Sequence, residues 1–478
     1  MLGQSEYGLY SLVSSIISYL TIFDLGFGNA IIIYTTRYKT NGDKEKEQKL
    51  HGMFFIIYTI IGLVAGIVGA ILFFNTDVIF GNTMSDAEIQ TAQKLMFILL
   101  INLILTFPLS IFSSIITAYE KFVFAKILNI LRIVLTPLIM IPLLLTGHKS
   151  VTLVIVITIL NIATLLANMY FCLKKLKIKL KFGKIDFKLL KEIFSYSFYI
   201  FLNTIIDKIN WNVDQFILGA VSGTTAVAVY SAAAQINNMY LHFSTAISGV
   251  MLPKVTQMEA KHASNEEFTK LFIKTGRLQF IILALIVTGF VLFGQQFIMW
   301  WAGPGYEQSY IICCILMIPI LVPLIQNVGL SILQAKNLYK NRTKMFIFIA
   351  VANVIISIIL AKPYGGIGAA LGTTISQIVG QIIILNIYYH KKVKLNMISF
   401  WKQISKMAIP VLISYVIGVA LRSIWTTESI IVFGVQIIIY VIIYGLFMWL
   451  LGLTQEEKIK LMASLNKIKE LKNKNVRN

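Results

Sequence analysis

The sequence predicts an all-α, polytopic membrane protein with about thirteen transmembrane helices, and three observations predict it. Hydrophobic residues make up 57% of the 478 and charged residues only 13%, a balance foreign to a water-soluble chain of this length. Uncharged apolar runs long enough to cross a bilayer recur, residues 53–74 and 151–173 being two of them. The basic residues gather in alternate loops. The apolar runs are continuous and not alternating with period two, which excludes an outer-membrane barrel.

Taken in order, the spans are predicted over 9–36, 52–74, 92–118, 123–146, 150–173, 193–220, 225–251, 271–294, 308–334, 343–361, 365–389, 404–421 and 429–452. Gly81-Asn82, Gly303-Pro304-Gly305, Lys362-Pro363 and the basic turn 390–394 punctuate them. The loops 37–50, 119–126, 174–191, 252–277, 335–344 and 390–402, with the tail after 453, hold 35 of the 42 Lys and Arg. The opposite loops hold only Lys149, Lys362 and Arg422; Lys94, Arg132, Lys208 and Lys406 fall within or at the ends of spans. The positive-inside rule then makes the first set, and the C-terminus, cytoplasmic in a multi-pass protein of the cell (inner or plasma) membrane. The formal charge of +21 is thus an orientation signal and not a nucleic-acid footprint.

An internal repeat divides the chain. YGLYSLVSSI (7–16) echoes AVAVYSAAAQI (226–236), aligning Tyr10-Ser11 with Tyr230-Ser231, and Pro108-Leu109 echoes Pro323-Leu324. The predicted organisation is an N-terminal lobe over 1–173 of about five helices, a basic cytoplasmic linker over 174–191 and a C-terminal lobe over 192–390 of about six. Two additional helices over 391–453 and a basic amphipathic tail over 454–478 follow. In the linker, Lys175, Lys177, Lys179 and Lys181 alternate with apolar residues, which suits an anionic leaflet surface. The tail lines up Ile459, Met462, Leu465, Ile468 and Leu471 amid lysines, as a surface helix would. Both segments also read as plain orientation signals. Thirteen spans with a cytoplasmic C-terminus place Met1 outside, and no basic leader precedes it. In the second half of the repeat a whole span precedes the echoed segment; in the first half none does. The expectation is a chain truncated or mis-started before its first helix.

No catalytic constellation is present. There is no phosphate-binding Gly-x-x-x-x-Gly-Lys loop, no H-E-x-x-H pair and no Gly-x-Ser-x-Gly elbow, and the five His are dispersed. Cys172, Cys313 and Cys314 lie in apolar spans without ligand spacing. The chain is expected to be no enzyme and to need no cofactor or metal.

Polar residues concentrate inside the helices instead. In NTIIDKINWNVD (203–214), Asn203, Asp207, Asn210 and Asp214 recur at steps of four, three and four, on one helical face, with Lys208 beside it. The next helix carries Ser231, Gln235, Asn238 and His242 in the same rhythm, and span 9–36 carries Ser11, Ser14, Ser18, Thr21 and Asp24. Two readings stand: polar contacts that bind helices together, or the wall of a transport cavity. Arg132 and Lys208 are the cations suited to a buried anionic substrate, with Arg37 at the cytoplasmic mouth. Arg132 snorkelling to the interface, or Lys208 paired with Asp207, are the structural alternatives.

The stretches LGQSEYGLYSL, DLGFGNAI, NWNVDQFILG, AVAVYSAAAQI, FGQQFIMWWAG and GGIGAALGTTIS resemble the oligosaccharide (O-antigen type) flippase family of polysaccharide biosynthesis proteins, within the multidrug/oligosaccharidyl-lipid/polysaccharide exporter superfamily. The resemblance implies two helical lobes facing a central cavity. It also implies a polyprenyl-pyrophosphate-linked oligosaccharide, flipped from the cytoplasmic to the outer leaflet for polysaccharide biosynthesis, and a helix before LG-x-x-x-YGLY that is missing here. Membrane lipids and the lipid-linked oligosaccharide are the expected partners, in a polysaccharide-assembly complex or as a monomer, with no nucleic acid. A cation-coupled multidrug exporter using Asp24, Asp207 or Asp214, and a membrane glycan polymerase or ligase, are the alternatives.

Overall fold

The computed structural model describes residues 2–183, 186–248, 251–336, 338–424, 429–459 and 462. Among these the regular structure is helical, without a strand. Among the described residues ten helices are long and apolar enough to cross a membrane, two of them kinked and spanning two predicted elements. The chain is an all-α, polytopic membrane protein.

The first predicted span holds α1 (Gln4–Leu20) and α2 (Phe27–Thr40). The expectation of one helix over 9–36 is corrected here. A 3₁₀ turn (Thr21–Asp24) follows α1, and Leu25 and Gly26 are left-handed, at φ 53° and 72°. A left-handed leucine costs roughly 1–2 kcal/mol, so its surroundings must hold it there. Next come α3 (Lys44–Phe74), short α4 (Thr76–Phe80), α5 (Asp86–Ala118), α6 (Phe122–Leu145) and α7 (Ser150–Tyr170). The Asp43 side chain accepts from the Lys46 amide at the start of α3, and Ser85 and Glu88 form a capping box at the start of α5. Each cap contributes about 1 kcal/mol where the helix meets water.

The predicted spans 193–220 and 225–251 form one kinked helix, α8 (Phe187–Ser248). The kink is at Gly223, φ 78° and ψ −178°, a conformation only glycine adopts freely. Beyond it lie α9 (Leu252–Ala260), α10 (Asn265–Trp301), α11 (Glu307–Ile325) and α12 (Val328–Ala335). The predicted span 308–334 breaks between α11 and α12 because Pro319 and Pro323 remove two amide donors from the last turns of α11. α13 (Tyr339–Gln377) covers 343–361 and the start of 365–389, kinked at Gly365, and a π-helical turn leads on to α14 (Leu385–Lys391). α15 (Met397–Ile424) and α16 (Ile430–Phe447) complete the order. The tail predicted as a surface helix lies, past its first turn, outside the described residues.

The chain groups into two compact units: Met1–Ser231 with Thr343–Ser376, and Ala232–Arg342 with Gln377–Asn478. In the first, α5 is the hub and packs against α1, α2, α3 and α7, while α6 lies outside on α7. No described side chain of α6 is buried, and Ile127, Ile130, Ile133 and Leu138 point outward. In water that face would aggregate; in a bilayer it meets lipid. In the second unit α10 is the hub, packing against α11, α12, α15 and α16. Leu292, Phe293, Phe433 and Tyr440 form an apolar cluster there, with the Tyr440 hydroxyl satisfied by Thr288 at 2.7 Å.

Candidate functional site

The first unit assembles its polar side chains around Asp214, which α8 carries into a fully packed interior (1% exposed). Asp214 Oδ2 accepts from the Tyr230 hydroxyl and from Thr373 Oγ1, the latter at 2.7 Å. Thr373 Oγ1 also lies 3.1 Å from Asn353 Oδ1, which accepts from Ser357 Oγ at 3.1 Å. Asn353 Nδ2 in turn donates to Asn210 Oδ1 at 3.4 Å. The two limbs of α13 can bring Thr373 to Asn353 because Gly372 has no side chain. A Cβ there would stand 2.6 Å from the Ser357 Cα. Asp214 Oδ1 is buried without a hydrogen-bond partner among the described residues. A buried carboxylate whose hydrogen bonds among the described residues come from two hydroxyls is an all-oxygen set, suited to a proton or a hard cation. Among the described residues no three His, Cys, Asp or Glu cluster as metal ligands.

Asn210 and Asp214 of the predicted stripe therefore meet in one network. The side chains of Asn203 and Asp207 lie outside the described residues, so the stripe is seen only in its second half. Lys208, half-buried, donates to Ser18 Oγ on α1, joining two of the predicted polar helices. Tyr230, Asn353, Ser357 and Thr373 were missed by sequence reasoning. Thr373 lies within the GGIGAALGTTIS stretch, and that was the one signal that could have drawn attention to it.

Arg132 is half-buried on α6 and turns inward. Its Nη1 donates to Asn161 Oδ1 on α7 at 2.8 Å, and its Nη2 to Asn129 Oδ1 at 3.1 Å. Asn161 Nδ2 passes the network to Asn102 Oδ1 (2.9 Å) and Thr106 Oγ1 (3.0 Å) on α5. No carboxylate stands within ion-pair distance of Arg132 among the described residues. Its charge is solvated by amides, without a counter-charge among the described residues.

Thr106 also borders a cavity of about 360 Å³ whose other polar walls are Thr21, Asp24 and Ser110. Asp24 sits where α1 and α2 part, and accepts from the Tyr58 hydroxyl on α3 at 2.7 Å. A broken helix at bilayer depth is tolerated only where other protein groups or a wet cavity satisfy its backbone, and here it faces that cavity. Arg37 is exposed in the last turn of α2, where a cation complements the helix dipole.

In the second unit the predicted face diverges from the buried one. Gln235, Asn238 and His242 are exposed, while Asn237 is buried, its Oδ1 without a partner among the described residues. The interior polar groups are ones that sequence reasoning missed. Ser244 Oγ accepts from Gln279 (3.1 Å) and Asn327 (2.9 Å), and Gln326 and Asn386 pair through both amide groups, at 3.0 and 3.1 Å.

Residues 1–259 match the family described as "Polysaccharide biosynthesis protein". The chain belongs to that family. This polysaccharide biosynthesis protein is 23% identical over 398 residues to the "Putative O-antigen transporter" of Shigella flexneri, covering 81% of this chain and 90% of that one. It is 26% identical over 206 residues to the "Capsular polysaccharide biosynthesis protein CapF" of Staphylococcus aureus, covering 42% of this chain and 50% of that one. Among solved structures it resembles "Lipid II flippase MurJ, inward closed conformation", with a TM-score of 0.73 and 18% identity over 93% of this chain and 92% of that one. An inward-facing multidrug resistance MATE family transporter gives 0.60 and 17%, over 80% of this chain and 94% of that one. At these identities the two structures share the fold.

Proposed function

We propose that the chain flips a polyprenyl-pyrophosphate-linked oligosaccharide from the cytoplasmic to the outer leaflet, as a transporter and not an enzyme. The basic loops and C-terminus face the cytoplasm and the chain resides in the cell membrane. The observation that carries this reading is Arg132, a guanidinium on a lipid-facing helix with neutral amides around it and no acidic partner among the described residues. A half-buried cation of that kind calls for an anion from outside the protein, and a pyrophosphate can accept its forked donors. Lys208 is the second candidate cation. Family membership and the relative named as an O-antigen transporter support the glycan-lipid substrate.

Flipping needs two conformations that bind the headgroup with different affinity, and the kinks at Gly223 and Gly365 and the break at Leu25-Gly26 are places where helices can bend. The test is glycan export in a host lacking its own flippase. Arg132→Ala and Lys208→Ala should each lower export at least about tenfold, as loss of a charged hydrogen bond would. Full activity of both variants would remove this site assignment.

The second reading, a cation-coupled drug exporter, is favoured by the all-oxygen enclosure of Asp214. Drug-driven pH change in proteoliposomes would support it; export of glycan without such a response supports the first reading.

A further inference from the structure

One pocket of the first unit is lined by none of the residues that reading uses. Behind the basic loops a cavity of about 620 Å³ opens between the end of α2, the start of α3, the end of α5 and the linker after α7. Its walls carry Lys39, Lys44, Lys177 and Lys179 against a single acid, Glu47. Glu47 is buried, and its carboxylate is taken up by the Tyr119 hydroxyl at 2.6 Å; the Lys39 ammonium lies 4.4 Å from the centre of the Tyr119 ring.

The linker is folded into this wall and does not lie free. The Ile178 amide donates to the Cys172 carbonyl at 3.0 Å, and the Lys181 amide to the Gln48 carbonyl on α3 at 3.1 Å. Gly52 lets the linker through, since a Cβ there would meet the Lys181 carbonyl oxygen at 2.3 Å. To make the turn Lys177 adopts a left-handed φ of 53°, strain that the surrounding contacts must hold in place. The apolar side of the alternating pattern is buried at Ile178, which leaves Lys177 and Lys179 at the cavity. The nearby Lys46, Lys49 and Lys181 are paired with Asp43 and Glu45; no acid pairs with Lys44, Lys177 or Lys179 among the described residues. The pocket thus brings together three basic side chains that lack an acidic partner among the described residues, beside the positive end of the α3 dipole.

We infer that this pocket is a binding site for a phosphate-bearing anion, separate from the transport pathway. The source is either the headgroup of an anionic phospholipid in the adjacent leaflet or a free phosphate compound. Basic pockets at this depth hold such groups through several lysines at once.

The test titrates the full chain in neutral detergent with sodium pyrophosphate, with short-chain phosphatidylglycerol and with short-chain phosphatidylcholine. Saturable binding of pyrophosphate or phosphatidylglycerol is expected, with none of phosphatidylcholine. Phosphatidylglycerol displaced by pyrophosphate identifies the shared phosphate as the ligand; phosphatidylglycerol bound but not displaced identifies the lipid. Lys177→Gln with Lys179→Gln should weaken binding about 25-fold, and Lys44→Gln on a different element about fivefold. Lys46→Gln with Lys49→Gln, whose lysines form exposed ion pairs, should leave it unchanged. Binding of neither anion, or equal binding by wild type and the Lys177/Lys179 variant, would overturn the assignment. The readout is binding alone, so its failure is distinct from any failure of export.

Discussion

Asp214 and Asp24 are both membrane-helix aspartates of the first unit, and each accepts from a tyrosine hydroxyl, Tyr230 and Tyr58 respectively. Their settings differ. Asp214 lies on the unbroken limb of α8 before Gly223, sealed from solvent, with Thr373 as a second donor and one oxygen unpartnered. Asp24 lies at a helix break beside a cavity of about 360 Å³. A sealed carboxylate can change its charge or partner only if the packing around it rearranges, which suits a group coupled to a conformational switch. A carboxylate at a cavity wall can exchange partners in place, which suits contact with a passing ligand.

The contrast can be broken by truncating both. Asp214→Ala strands the buried Tyr230 hydroxyl and leaves Thr373 Oγ1 only Asn353 Oδ1 to donate to, and should destabilise the chain by roughly 2–3 kcal/mol, read as thermal unfolding of the detergent-solubilised protein. Asp214→Asn, which keeps an acceptor, should cost less than Asp214→Ala. Asp24→Ala should cost only about 1 kcal/mol, because Asp24 itself lines the cavity and its truncation extends that space to the Tyr58 hydroxyl. Equal losses for the two alanine variants would show that the settings are not different in the way described.

A third carboxylate sharpens the comparison from outside the spans. Glu457 forms a bidentate pair with Arg277, Nε to Oε1 at 2.8 Å and Nη2 to Oε2 at 2.7 Å, and also accepts from the Thr454 amide. Burial alone would raise its pKa, but the Arg277 guanidinium and the Thr454 amide outweigh that and hold it below the usual carboxylate range. A depressed folded pKa contributes stability that is fully present above the unfolded value of about 4.3 and is lost as pH falls through the folded value. Wild type should therefore unfold at higher temperature than Glu457→Gln at neutral pH, and the two midpoints should converge as pH drops below about 4.3.

Most of the long membrane helices and their order were legible in the sequence because most are continuous apolar runs bounded by turn residues or charges, while the short helices α4 and α9 were not. The break at Asp24-Leu25-Gly26 was not, since a leucine in left-handed conformation carries no periodic signal. Asp214 and Asn210 stood out as polar residues in an apolar span, yet Asn353 and Thr373 lie 139 and 159 residues further along and reach them only through packing. Arg132 was visible as an isolated charge, but not the amide relay through Asn161 that turns it inward. Gln235 and Asn238 followed a correct helical rhythm, which fixes a shared face without saying whether that face is buried.

The most direct test of the central claim is the sidedness of the lipid-linked oligosaccharide in cells from which this chain has been removed. Membrane vesicles of known orientation would be probed with a lectin or glycosidase that cannot cross the bilayer. The flippase account predicts accumulation on the cytoplasmic face, restored to export by the wild-type chain. Accumulation on the outer face would contradict it and point to a polymerase or ligase acting after translocation.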